Sequence, residues 1–295
     1  MVKPKCPAPI REIGTPAFKP PPGSCDCHVH IIGPQNYYPC SPHSPVDMED
    51  STLDDYRKVQ SALGLSRALI VASGIQEYDY QPVLHTLCMD PDRYRGVIIP
   101  RTDITDSELD ILDKAGVVGA RFYPGIADPD ERMLARVREI GWSAHFPLAN
   151  PTQAEAWRPW IEGYDGQFVI EHSSMPDPTG GLDSKHFQRV LGYLDTDRCW
   201  IKLSHRFSKL DKTPFEDSLP FNRALVEHRP DRMLYGSDYP HPNYWTQMPT
   251  EEQILNLLLL WAPDEAVRHT ILVDNPEQLF GFPTDRHNRI AHEEF

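Results

Sequence analysis

The sequence predicts an α/β protein, a (β/α)8 TIM barrel, and three observations carry the prediction. Eight short apolar runs alternate with segments of helical period between residues 24 and 282. Such alternation builds a parallel sheet, and eight units favour closure of the sheet on itself. The chain of 295 residues suits one barrel of roughly 250 residues with extra ends. Several histidines, arginines and carboxylates, among them His28, His30, Arg121, His172 and Asp238, fall at or near the carboxyl ends of the apolar runs, where the βα loops of a barrel converge.

The elements follow in order. Residues 1–22 hold seven prolines (Pro4, Pro7, Pro9, Pro16, Pro20, Pro21 and Pro22), too many for regular structure, and are expected to lie as an extended surface arm. The barrel is expected over 23–282. Its first strand, SCDCHVH (24–30), leads to the helical TLDDYRKVQSALG, and RALIVAS (67–73) to YQPVLHTLCMD. YRGVIIP (94–100) precedes TDSELDILDKAG, where Thr105 and Glu108 form a capping-box pattern. VVGARFY (117–123) precedes DERMLARVREIG, and WSAHFPLA (142–149) precedes QAEAWRPWIEG. Gly116 and Gly141 stand where helices should stop before the next strand. QFVIEHS (167–173), RCWIKLS (198–204) and RMLYGSD (232–238) complete the eight, each followed by a helical segment. Residues 283–295 read as a polar tail, or as a lid on a neighbouring subunit, which leaves a homo-oligomer open.

Composition narrows the partners. With 29 basic and 43 acidic residues the formal charge is −14, which argues against nucleic acid, whose phosphates need clustered positive charge. An anionic small substrate would need local arginines against this field. The six cysteines form no CxxC pair and read as free thiols in a reducing compartment. No run approaches the ~18 apolar residues of a membrane span, and the N-terminus has no secretory core. The expectation is a cytoplasmic protein with no membrane partner.

The residues of chemical interest come from different strands, and only closure of the barrel would unite them. His28 and His30 end strand 1, with Asp26 on the same parity and Cys25 and Cys27 on the other. Strand 4 carries Arg121 and Tyr123, strand 2 ends at Ser73, and strand 6 ends in Glu171-His172. Strand 7 runs into Ser204-His205-Arg206, and strand 8 ends at Asp238 with His241 close behind. Arg121, Arg206, His241, Tyr123 and Ser73 are the candidate substrate-binding residues. His145, within strand 5, reads as a satisfied polar residue. His43, His85, His186, His228, His269, His287 and His292 read as surface groups. No G-x-S-x-G elbow supports a serine nucleophile.

An H-x-H on strand 1, a strand-6 histidine and a strand-8 aspartate in a TIM barrel resemble the amidohydrolase superfamily. PPGSCDCHVHIIGP, GVVGARFY, VIEHSSMPD, IKLSHRFS, RMLYGSDYPHPN and ILVDNPEQLFGF carry the likeness across residues 20–282. The likeness is closer to one branch, which contains 2-pyrone-4,6-dicarboxylate lactonase, D-galactarolactone isomerase and 4-sulfomuconolactone hydrolase. The resemblance implies an amidohydrolase-type barrel that opens a lactone without a metal. In that scheme Asp238 takes a proton from water, while His28, His30 and His172 polarise the carbonyl. No cofactor is then expected. A mononuclear zinc held by His28, His30, His172 and Asp238 is the alternative ligand set, whereas a cation at Arg121 opposes a second metal ion. A lactone isomerase, with a substrate hydroxyl as nucleophile, and a zinc-dependent decarboxylase are the alternative activities.

The departures bear on the substrate. The arginine that the dicarboxylate lactonase carries after its strand-6 histidine is absent from His172-Ser173-Ser174-Met175, and FYPGIADPD holds none either. Arg121 and Arg206 suffice for one carboxylate, so a small lactone with at most one acidic group is expected. Tyr78, Tyr80, Tyr123, Tyr239, Tyr244 and Trp245 are candidates to wall an aromatic or apolar substrate.

Overall fold

The computed structural model describes residues 3–209, 215–242 and 248–282; the expected tail over 283–295, with His287 and His292, and Tyr244 and Trp245 lie outside them. Eight parallel strands form one sheet in sequence order. They are β1 (Cys25–Val29), β2 (Arg67–Val71), β3 (Tyr94–Ile98), β4 (Val117–Arg121), β5 (Ser143–Phe146), β6 (Phe168–Ile170), β7 (Cys199–Leu203) and β8 (Met233–Tyr235). The ends of the sheet meet just beyond β8: Asp238 N–H donates to the His28 carbonyl at 2.9 Å and His30 N–H to the Tyr239 carbonyl at 2.8 Å. The chain is therefore a (β/α)8 barrel, and the closing bonds bring residues 28–30 against 238–239.

Helices cover the outside. α1 (Leu53–Leu63), α2 (Gln81–Met89), α3 (Asp106–Lys114), α4 (Glu131–Glu139), α5 (Pro151–Gly163), α6 (Lys185–Leu194) and α7 (Leu219–His228) follow the first seven strands. The capping box on α3 is formed: the Glu108 carboxylate accepts from Thr105 N–H at 2.8 Å, and Thr105 Oγ1 accepts from Glu108 N–H at 3.2 Å. Gly116 and Gly141 have φ of +96° and +78°, the left-handed region a glycine enters without a Cβ penalty.

The barrel has an apolar floor. Cys25, Cys27, Leu69, Val71, Val97, Val169, Trp200 and Leu234 pack together with Phe280 and Phe282. The guanidiniums of Arg67 and Arg95, at the starts of β2 and β3, lie 5.5 and 5.1 Å from the Phe282 ring centre. The amino-terminal mouth is thus closed, and the chemistry is confined to the other end.

β1 departs from the alternation read in the sequence. Its register against β2 shifts between Asp26 and Val29, so Cys25 and Cys27 join the interior cluster while His28 also faces inward. A bulge places two consecutive residues on one side. Asp26 instead turns outward, accepting from Tyr56 Oη of α1 at 3.2 Å and from Ser237 N–H at 2.9 Å. It ties β1 to the residue before Asp238, and its burial pushes the carboxyl up to about 6.

The proline-rich arm is fastened at intervals. Cys6 N–H donates to the Asp47 carbonyl at 2.8 Å, and Ala17 N–H donates to Asn256 Oδ1 at 2.7 Å. Cys6 is buried with Ile32, Val46, Met48 and Ile75. Among the described residues no helix is long and apolar enough to cross a membrane.

Candidate active site

At the carboxyl ends of the strands, barrel closure brings His28, His30, His172 and Asp238 together. Asp238 Oδ1 lies 3.6 Å from His28 Nε2, 3.5 Å from His30 Nε2 and 4.0 Å from His172 Nε2. The His28 and His30 Nε2 atoms are 3.2 Å apart. Asp238 itself has φ of +67°, a conformation that costs a side-chain-bearing residue energy and is kept here by the closing hydrogen bonds on either side of it.

His172 is placed by unusual backbone. His172, Ser173, Ser174 and Met175 have φ of +52°, +51°, +63° and +47°, and each left-handed residue costs roughly 1–2 kcal/mol. Side chains over-determine the turn. Ser173 Oγ donates to Asn222 Oδ1 at 2.6 Å and accepts from Ser204 N–H at 2.9 Å. His186 Nε2 lies 2.7 Å from Ser174 Oγ and 2.9 Å from its carbonyl. His186, read as a surface group, therefore braces this turn.

The three imidazoles are neutral near pH 7. Burial, with Lys202 nearby, holds His28 well below the usual histidine range. Burial also lowers His30, and burial with Arg206 pushes His172 down to about 4. Burial alone would raise the Asp238 carboxyl, but Arg206, His172 and His30 together outweigh it and hold the group well below the ordinary carboxylate range. A charged carboxylate thus stands among neutral imidazoles. His30 has a defined tautomer: its Nδ1 is 2.7 Å from the Val71 carbonyl, which can only accept. Neutral His30 consequently presents a lone pair at Nε2.

Beneath these groups lies a buried ionic cluster. Glu171 takes Arg121 at 2.7 and 2.9 Å, Lys202 at 3.3 Å, and stands 3.5 Å from His145 Nδ1. Its carboxyl would rise on burial, but Arg121, His28 and Lys202 drive it well below its ordinary range. Lys202 Nζ also lies 3.1 Å from His28 Nδ1. His145 is fully buried, with Nε2 3.0 Å from Ser143 Oγ, and burial lowers it to about 4.

A cavity of about 250 Å³ opens over Asp238, lined by His30, Ser73, Arg121, Tyr123, His172 and Arg206 together with apolar Ile75, Leu148 and Met175. Arg121 reaches its wall with three of its five donors turned to Glu171 and to the Ala72 carbonyl, the latter at 3.0 Å. Arg206 pairs with Asp238 Oδ2 and donates to the Pro242 carbonyl at 3.1 Å. His241, expected at the substrate, is not among the residues lining the cavity. Its ring is fully buried with Nε2 2.8 Å from Glu251 Oε1, because a φ of +61° turns the side chain behind the strand-8 end. Of the aromatic candidates, Tyr123 lines the cavity. Tyr78 bonds the Ile126 carbonyl, Tyr80 meets Arg101 and Tyr239 packs on Tyr56.

The family model described as amidohydrolase matches residues 25–282. The chain belongs to the amidohydrolase family. It is 33% identical to a 4-sulfomuconolactone hydrolase from Rhizobium radiobacter, over 94% of this chain and 96% of that one. A D-galactarolactone isomerase from Agrobacterium fabrum is 28% identical, over 90% and 92% of the two chains. A crystal structure from Agrobacterium tumefaciens superposes with a TM-score of 0.81 at 26% identity, covering 92% of this chain and 98% of that one.

The donor set of this amidohydrolase fits zinc only in part. His28, His30 and Asp238 offer ligand atoms within 4.8 Å of one another, and His30 turns a lone pair inward. A zinc-bound imidazole, however, carries its proton on the other nitrogen and passes it to an acceptor. Nδ1 of His28 has the Lys202 ammonium as its nearer partner, at 3.1 Å, with Glu171 at 3.6 Å. His28 is mismatched to a metal as it stands.

Lys202 and the Glu171 cluster went unassigned in the sequence reading. The signal was present: Trp200 and Lys202 share the inward parity of β7, and a lysine inside a barrel must have a partner.

Proposed function

We propose that this amidohydrolase opens a small lactone by water attack, with Asp238 as general base and no metal in the step. The carrying observation is the placing of Asp238 Oδ1 within 3.5–4.0 Å of three imidazole Nε2 atoms. A water donating to Asp238 and to the His30 lone pair would have both protons engaged and its oxygen directed at a carbonyl above. The N–H group of His172, which lines the cavity, and that of His28, which stands behind it against His30, would meet the oxygen of that carbonyl as charge develops on it, the arrangement that lowers acyl-transfer barriers. Similarity to a 4-sulfomuconolactone hydrolase at 33% identity supports a lactone as substrate. Arg206, paired with Asp238 but with its side chain 18% exposed at the cavity, is better placed to meet an acidic group than Arg121, 5% exposed and held by the buried Glu171; hence at most one such group.

Monoacidic, diacidic and neutral lactones assayed with the purified protein should show hydrolysis of the monoacidic class. Asp238→Asn, with its fold verified by circular dichroism, should lose about 10²–10⁴-fold in kcat. Full activity in that variant would dismiss Asp238 as the base. The similarity to a D-galactarolactone isomerase favours one second reading, a substrate hydroxyl attacking in place of water. Solvent ¹⁸O in the product separates them, because hydrolysis incorporates it and intramolecular transfer need not.

A further inference from the structure

We infer that Lys202 is a positioning residue that sets the tautomer of His28 and thereby commits the site to polarising a carbonyl rather than binding a metal. The inference rests on the metal-free lactonase reading for its meaning but not for its test. Lys202 is 1% exposed at the inward face of β7, with Nζ 3.1 Å from His28 Nδ1 and 3.3 Å from Glu171 Oε1. Burial lowers Lys202, and Glu171 beside it opposes that and favours the ammonium; an ammonium has three donors and no lone pair, so the His28 nitrogen facing it must accept. The proton of neutral His28 then sits on Nε2, the atom 3.2 Å from His30 Nε2 and 3.6 Å from Asp238 Oδ1.

The two strand-1 histidines are consequently of opposite tautomer. His30, donating from Nδ1 to the Val71 carbonyl, offers a lone pair; His28, accepting at Nδ1, offers a proton. A metal needs lone pairs from both, whereas a developing oxyanion needs the donor. With a methyl-ended side chain in place of the ammonium, the partner left near Nδ1 is Glu171, at 3.6 Å. Glu171 only accepts, and His28 would protonate on the Nδ1 side and turn its Nε2 lone pair to the site, as metal-binding histidines do.

The test is ¹⁵N-histidine NMR of the full-length protein without substrate, with His28 assigned by a His28→Gln variant. Wild type should show a protonated Nε2 and a bare Nδ1 at His28, and Lys202→Met should show the reverse. Lys202→Met should also bind zinc about 10- to 100-fold more tightly and lose kcat without metal by a similar factor, with KM nearly unchanged. A protonated Nδ1 in wild type overturns the inference, as does a Lys202→Met variant that keeps the wild-type tautomer. If Lys202→Met does not fold, the wild-type spectrum alone decides. Because the spectrum needs no turnover, a protein inactive on every lactone would defeat the proposed function and leave this result standing.

Discussion

The two halves of the barrel interior are built on opposite principles. The floor is a dry packing of Trp200, Leu234, Val97, Val169, Phe280 and the thiols of Cys25 and Cys27, and burial raises the Cys25 thiol far above the range in which it reacts. A few ångströms above, Glu171 faces Arg121 and Lys202 with none of the three more than 5% exposed. Apolar burial stabilises the floor without directing anything. The ionic layer repays its own desolvation poorly, so its presence is better explained by the orientation it gives to Arg121, Lys202 and His28. The difference teaches where stability and function reside on each inward face: Trp200 and Lys202 are two residues apart on β7 and belong to different layers.

Breaking the upper layer should have the largest effect. Glu171→Gln leaves two buried cations without their carboxylate, a change that typically costs about 3–5 kcal/mol. Urea unfolding should show that loss, and turnover by the folded fraction should fall as well, because both Arg121 and Lys202 are freed to move. A variant with full activity and stability would mean that the cluster positions nothing. In the floor, Trp200→Phe should cost only about 1–3 kcal/mol through lost packing and the lost indole bond to Gln167, which is 2.7 Å long. Its kcat and KM should stay near wild type; a comparable fall in kcat would erase the distinction between the layers.

The same contrast explains what the sequence revealed. Strand ends were legible because apolar runs stop where polar residues begin, and His28, His30, His172, Asp238, Arg121, Arg206, Ser73 and Tyr123 do gather at one mouth once eight strands close. The bulge in β1 was not legible: strict alternation put Cys27 opposite His28, and nothing in CDCHVH marks the shift. Nor do His172-Ser173-Ser174-Met175 contain the glycine that usually announces left-handed backbone; tertiary bonds from Asn222, Ser204 and His186 hold it. The burial of His241 on Glu251 has a related cause, since proximity in sequence to Asp238 does not fix the direction of a side chain at positive φ. Lys202 was readable in principle from parity.

Arg206 provides the mildest test, at the boundary between the ionic layer and the cavity. It holds Asp238 low, yet it reaches the rim with 18% of its side chain exposed, so water can take over part of its role and its loss should cost less stability than the loss of Glu171. The clearer effect is on titration. Removing the cation in Arg206→Gln raises the folded-state pKa of Asp238, so the acid limb of kcat/KM, which reports the free enzyme, should move to higher pH. The sign for stability follows from the same depression. A carboxylate held low when folded contributes stability above its unfolded pKa, and loses it as pH falls through the folded value. With a smaller depression, the variant should lose less on acidification than wild type does. KM for a monoacidic lactone should rise and that for a neutral lactone should not, because the guanidinium is the group proposed to meet the acid. A limb that stays in place in Arg206→Gln would show that the pairing with Asp238 does not govern the base, and the charge balance at this mouth would then rest on the imidazoles.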